Sequence, residues 1–280
     1  MFQAGTGVST ITPPLGASLA GSFEDRPAET IHDDLHARAL VLDDGATRVA
    51  LVLCDIIVIS RETADQAKEL ISAQSGIPAS HVIISCTHTH TAPATIQLLS
   101  SSPDPGYLDW LSSRIADAVA IACAGLGPAR IATGATDVEN VCFNRRFHMR
   151  DGTVVFNPGI NNPDIVSVAG PTDPEVTALL VCRPNGDPIA LWANLSLHYV
   201  GTDDIHAVSA DYYGEFAGFV SRALGESCVG MLTNGTSGNI NNIDVSGATS
   251  GHPPGIRSRQ VKEKEVATVV GISQRPPQRR

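Results

Sequence analysis

Arg48–Cys86 reads RVALVLCDIIVISRETADQAKELISAQSGIPASHVIISC. It falls into three parts. "RVALVLCDIIVI" is a run of aliphatic and β-branched residues, the composition of a buried strand. Ser60 stands where an N-cap is needed, ahead of the helical "RETADQAKELISAQ", and Gly76 closes that helix. "HVIISC" is a second, short apolar strand. Strands alternating with helices indicate an α/β protein of mixed β-sheets packed with helices.

The same alternation extends in both directions. Upstream, "ARALVLDD" is a strand joined to the first by the turn "DDGATR", in which Gly45 follows two aspartates. Downstream, "YLDWLSSRIADAVAIACAGL" carries Leu108, Leu111, Ile115, Val119 and Ala122 at helical spacing and stops at Gly125. Three further strands are expected in "VTALLVC", "PIALWANLS" and "CVGMLTN", with a helix in "DYYGEFAGFVSRAL". The span 140–173 is rich in Asn, Gly and Pro and reads as a long loop or excursion. Residues 257–271 begin like an amphipathic helix, whereas "ISQRPPQRR" at 272–280 cannot continue one and reads as a tail.

Composition narrows the function. With 280 residues, 42% of them hydrophobic, the chain has ample material for a buried core. A formal charge of -10 disfavours a nucleic-acid groove, which needs clustered Lys and Arg. Mean hydropathy is +0.05 and no apolar run has the length of a membrane span. No signal peptide is visible in "MFQAGTGVST", so a cytoplasmic location is expected. The six cysteines are scattered without a C-x-x-C, as for reduced thiols in a core.

The chemistry concentrates where strands end. "THTH" follows "HVIISC", and on a strand residues i and i+2 face one side, so His88 and His90 can reach one centre. Imidazole is the commonest metal ligand, though a hydrogen-bonded polar site fits the pair as well. His198 ends the apolar run "PIALWANLSLH" in the same setting. Ligand sites of open α/β sheets gather at the carboxyl ends of strands. Asp55 is a carboxylate inside an apolar strand, to be paired, hydrogen-bonded or metal-bound. "LTNGTSGNINNID" is a glycine- and asparagine-rich loop whose N–H groups can face an oxyanion, which singles out Gly235, Ser237, Gly238, Asn239 and Asn241. "GTSGN" is not a G-x-S-x-G elbow, so Ser237 is not read as a nucleophile. Arg145 and Arg146 either clamp an oxygen-rich substrate or pair on the surface. A structural or solvated role is the default for His32, His36, His81, His148, His206 and His252.

The segments "AGTGVSTITPPLGASLAG", "IHDDLHARALVLDDG", "HVIISCTHTHTAP", "NVCFNRR", "PIALWANLSLHYVG", "SADYYGEFA" and "GTSGNINN" occur in an order that resembles the neutral (non-lysosomal) ceramidases and their bacterial ceramidase-like relatives. The resemblance implies a catalytic N-terminal domain over 1–271 and a zinc-dependent amidase acting on a small-molecule N-acyl or lipid-like substrate. It implies zinc ligands at His88 and His198, His90 beside the metal, and Arg145 on substrate oxygen. It also implies two further ligands, a Glu and a Tyr, in a C-terminal part that has no match here, so the domain is expected to be incomplete. A Gly-Asp-Val-Ser-Pro segment of the ceramidases proper aligns with Gly238, Asn239, Ile240, Asn241 and Asn242. Its Ser becomes Asn241, which cannot act as a hydroxyl nucleophile and leaves metal-activated water. The alternatives are an inactive domain with a binding role and a metal-dependent esterase.

Overall fold

A computed structural model describes residues 1–138, 141–199 and 204–246. Asn140, His252, the amphipathic segment 257–271 and the tail 272–280 lie outside the described residues.

Two sheets stack face to face, each covered on its outer side by helix. The first contains β1 (Gln3–Thr10), β2 (His36–Asp43), β3 (Arg48–Cys54) and β4 (Val82–Cys86) in the order β4-β3-β2-β1, with Gly127–Pro128 along the far edge. β3 and β4 run parallel and the other pairs antiparallel. The β3–β4 crossover is α1 (Arg61–Ser75), whose N-cap Ser60 accepts from Thr63 N at 3.1 Å. Gly76 closes α1 at φ 73°, a left-handed conformation that glycine enters without penalty. α2 (Pro105–Ala124) packs beside α1. The second sheet has the order β8-β7-β6-β5, from β5 (Arg130–Asp137), β6 (Glu175–Cys182), β7 (Pro188–Leu195) and β8 (Val229–Asn234). Here β7 and β8 are the parallel pair, joined through α3 (Asp211–Leu224).

Strand alternation explains the layering. Ala37, Ala39 and Val41 of β2 face α1 and α2, whereas Leu40 points the other way onto Val181, Ala190 and Met231 of the second sheet. Both faces are buried, hence the unbroken apolar run. On the far side, Tyr212, Tyr213, Phe216 and Val220 of α3 cover Leu191, Ala193 and Leu195 of β7. No helix among the described residues is long and apolar enough to cross a membrane.

Two sequence expectations need correction, and one strand was not expected. The span 140–173 is not loop throughout: Arg146–Met149 pairs with Val154–Phe156 and Ile165–Val168 in a small antiparallel sheet. Its exposed apolar residues alternate too weakly to read as strands. The strand expected over "RVALVLCDIIVI" ends at Cys54, because Asp55 turns its carboxylate back onto β2. β1 escaped notice because Gly5 and Gly7 break its apolar pattern. They are required: an added Cβ would lie 2.1 Å from Ala122 O at Gly5 and 2.0 Å from Ala118 O at Gly7, so the strand could not seat against α2.

Candidate metal centre

The parallel pairs β3/β4 and β7/β8 end at one place, and the loops leaving β4, β7 and β8 build the site. β4 stops at Cys86, so the strand pleat does not align His88 with His90. Instead the chain kinks at His88, with φ 71°, and the rings come together in the loop, 5.0 Å apart between centroids. The expectation of a shared centre stands on a left-handed residue rather than on strand geometry. His88 is pinned twice: its backbone N–H donates to Ile56 O at 3.0 Å and its Nδ1–H to Ile57 O at 2.9 Å. His198 follows β7 and donates its backbone N–H to Ile240 O at 3.2 Å, which ties it to the asparagine-rich loop.

The ligand atoms of His88, His90 and His198 all lie within 4.8 Å of one another. Among the described residues they are the one group of three or more His, Cys, Asp or Glu side chains close enough to share a metal ion. The hydrogen bonds of His88 and His90 suit that task. A carbonyl only accepts, so the Nδ1 atoms of His88 and His90, on Ile57 O and Gly21 O, carry the protons, and each Nε2 keeps its lone pair. His90 Nε2 faces His198 Nε2 at 2.9 Å. Burial, then neighbouring His88, pulls the His90 pKa down to about 4. Burial, with His90 and Arg145 nearby, lowers His198 to about 3. Both imidazoles are therefore neutral near pH 7, the form that binds metal. The donor set fits a divalent ion such as zinc, whose bonds to histidine nitrogen are about 2.0–2.1 Å.

A cavity of about 400 Å³ opens beside the histidines, lined among others by Arg26, His90, Arg145, His198 and Asn241. A second recess holds His88, Gly235, Ser237 and Gly238. Arg145 borders both. Its Nε and Nη2 donate to Gly238 O at 3.0 and 2.6 Å, and its guanidinium lies 4.6 Å over the Phe156 ring. Arg146 is exposed. Asn239 takes part through its backbone carbonyl, which accepts from Arg145 N at 2.8 Å. Asn241 Nδ2 donates to Asn157 Oδ1 at 2.9 Å, and its Oδ1 accepts from Ile243 N at 3.1 Å, so this side chain braces the loop. Asp55 is not at the centre: its Oδ2 takes Arg38 Nη1 at 2.6 Å and His36 N at 2.9 Å.

Residues 2–215 match the family model described as neutral/alkaline non-lysosomal ceramidase, N-terminal. The chain belongs to this family. The fold agrees: a neutral ceramidase from Pseudomonas aeruginosa superposes with a TM-score of 0.79 at 19% identity, over 98% of this chain and 45% of that one. A ceramidase complexed with C2 gives 0.76 at 20% identity, over 98% of this chain and 44% of that one. This member of the ceramidase family thus spans less than half the length of either solved relative.

Sequence reasoning missed two residues of this ceramidase-family site. Gly21, at φ 93°, lies so near His90 that an added Cβ would sit 2.6 Å from Nδ1. Arg26 is buried and donates to His90 O at 2.8 Å. Both lie in "LAGSFEDRP", far from the "THTH" motif in sequence and without a pattern of their own.

Proposed function

We propose that this chain carries the metal-binding part of a zinc-dependent hydrolase that cleaves the N-acyl amide bond of a lipid-like substrate. The convergence of three histidines beside an open cavity is the observation that supports it most. A zinc ion held by His88 and His198 would supply Lewis acidity and a water whose pKa falls to near 7. The remaining steps belong to the chain's own residues. His90 Nε2 is placed to take a proton as water adds to the carbonyl carbon, and to return it to the nitrogen as the C–N bond breaks. Arg145, braced by Gly238 O, offers its positive charge to the oxygen on which negative charge develops. Phe156, Ile205 and Ile243 give the cavity an apolar side for an acyl chain.

The test is zinc per chain by elemental analysis, alongside fatty-acid release from matched N-acyl and ester substrates. Near-stoichiometric zinc with amide cleavage is expected. Cleavage that persists after zinc is stripped, or cleavage of esters alone, overturns the reading.

A further inference from the structure

The cavity beside the histidines carries two guanidinium groups and no carboxylate among its described lining residues. Arg26 is 8% exposed. It donates to the carbonyls of Ala20 at 3.0 Å, His90 at 2.8 Å and Ile205 at 3.2 Å, and its Nε has no partner. Carbonyl groups orient the guanidinium but leave its charge unneutralised. Neither Arg26 nor Arg145 forms an ion pair with a described residue.

A buried charge is costly without a counter-charge. This chain has carboxylates to spare, with 29 acidic residues against 19 basic. Even Asp25, next in sequence, turns away and accepts from Ser18 Oγ. Arg145 alone suffices for the oxygen of a reacting amide, which leaves Arg26 a charge without a task. The three carbonyls take both Nη2 hydrogens and one of Nη1, so Arg26 offers an anion its charge and the remaining Nη1–H. We infer that the cavity receives a substrate bearing a carboxylate, an N-acyl amino acid or a similarly acidic amide, and that Arg26 selects it over neutral amides. This inference rests on the hydrolase reading for the bond that is cut, but not for the anion that is bound.

The test compares two isosteres, N-lauroylglycine and N-lauroylglycinamide, with free laurate as a third ligand. Binding is measured by calorimetry on the wild-type chain without metal, and lauric-acid release on the zinc-loaded chain. N-lauroylglycine is expected to bind about tenfold tighter or more than the glycinamide, as for a hydrogen bond to a charged group. That ratio should collapse toward one in Arg26→Met and be partly kept in Arg26→Lys. Anion-selective binding without release of lauric acid from either compound leaves the inference standing and defeats the hydrolase reading. Equal binding of the isosteres by the wild type overturns the inference, whether or not laurate binds and whether or not either amide is cleaved. Because that comparison needs no variant, it stands even if Arg26→Met fails to fold.

Discussion

The carbonyl oxygen of Gly21 accepts the Nδ1 proton of His90 at 3.1 Å, across a gap too small for a β-carbon. The glycine sets both the tautomer and the position of the ring. Its φ of 93° is one that other residues avoid, so substitution meets backbone strain as well as a clash. Gly21→Ala is expected to push the imidazole out of line and to lower turnover about 10-fold to 100-fold, by the sensitivity of catalysis to small misplacements. Zinc content should stay near that of the wild type, because His88 and His198 do not touch Gly21. Wild-type turnover in Gly21→Ala would show that His90 needs no such placement.

The two proposed ligands and their neighbour separate by zinc content. His88→Ala and His198→Ala each remove a nitrogen from a cluster held within 4.8 Å, and are expected to lose zinc on dialysis. His90→Ala should keep zinc but lose about 10²-fold to 10⁴-fold in turnover, the usual contribution of a general acid–base group. Elemental analysis of the three variants decides the assignment. Zinc retained by both ligand variants, or lost only from His90→Ala, would reassign the site.

Arg145 lies between the cavity and the glycine-rich loop, with both donors on Gly238 O. Lys cannot reproduce that two-pronged contact or the stacking over Phe156. Arg145→Lys should cost about 1.5–3 kcal/mol of transition-state stabilisation, the range for hydrogen bonds involving charged groups. Steady-state kinetics should show that loss mainly in kcat, with zinc content unchanged. An unaltered kcat would remove Arg145 from the reaction.

Element type was most legible where apolar residues run together or a helix carries its own stop signals. The apolar runs of β2, β3 and β4, and the cap and glycine stop of α1, state their structures directly. β5, "RIATGATD", is almost wholly exposed, so no alternation marks it. β1 is written in glycines whose purpose appears only once α2 is seen against them. The site follows the same division. His88, His90 and His198 are visible as imidazoles where apolar runs end, but the left-handed turn at His88 is not a property of the letters T-H-T-H. Arg26 and Gly21 could not be found at all, because their roles come from contact with His90, 64 and 69 residues away.

Beneath the site lies a buried ion pair, Arg38 with Asp55, at 2.6 Å and with side chains 7% and 0% exposed. Asp55 also accepts from His36 N, so one carboxylate oxygen ties β2 to the segment that follows β3. That segment supplies the carbonyls of Ile56 and Ile57, on which His88 hangs. Removing one partner leaves the other charge buried alone, at a cost of about 3–5 kcal/mol. Asp55→Ala is therefore expected to lose stability of that size in urea unfolding. The double variant Arg38→Met/Asp55→Leu removes both charges and should regain most of it, since hydrophobic replacement of a buried pair is often neutral. A loss below about 1 kcal/mol in Asp55→Ala would place the pair with exposed ion pairs. It would then no longer account for how the backbone under His88 is held.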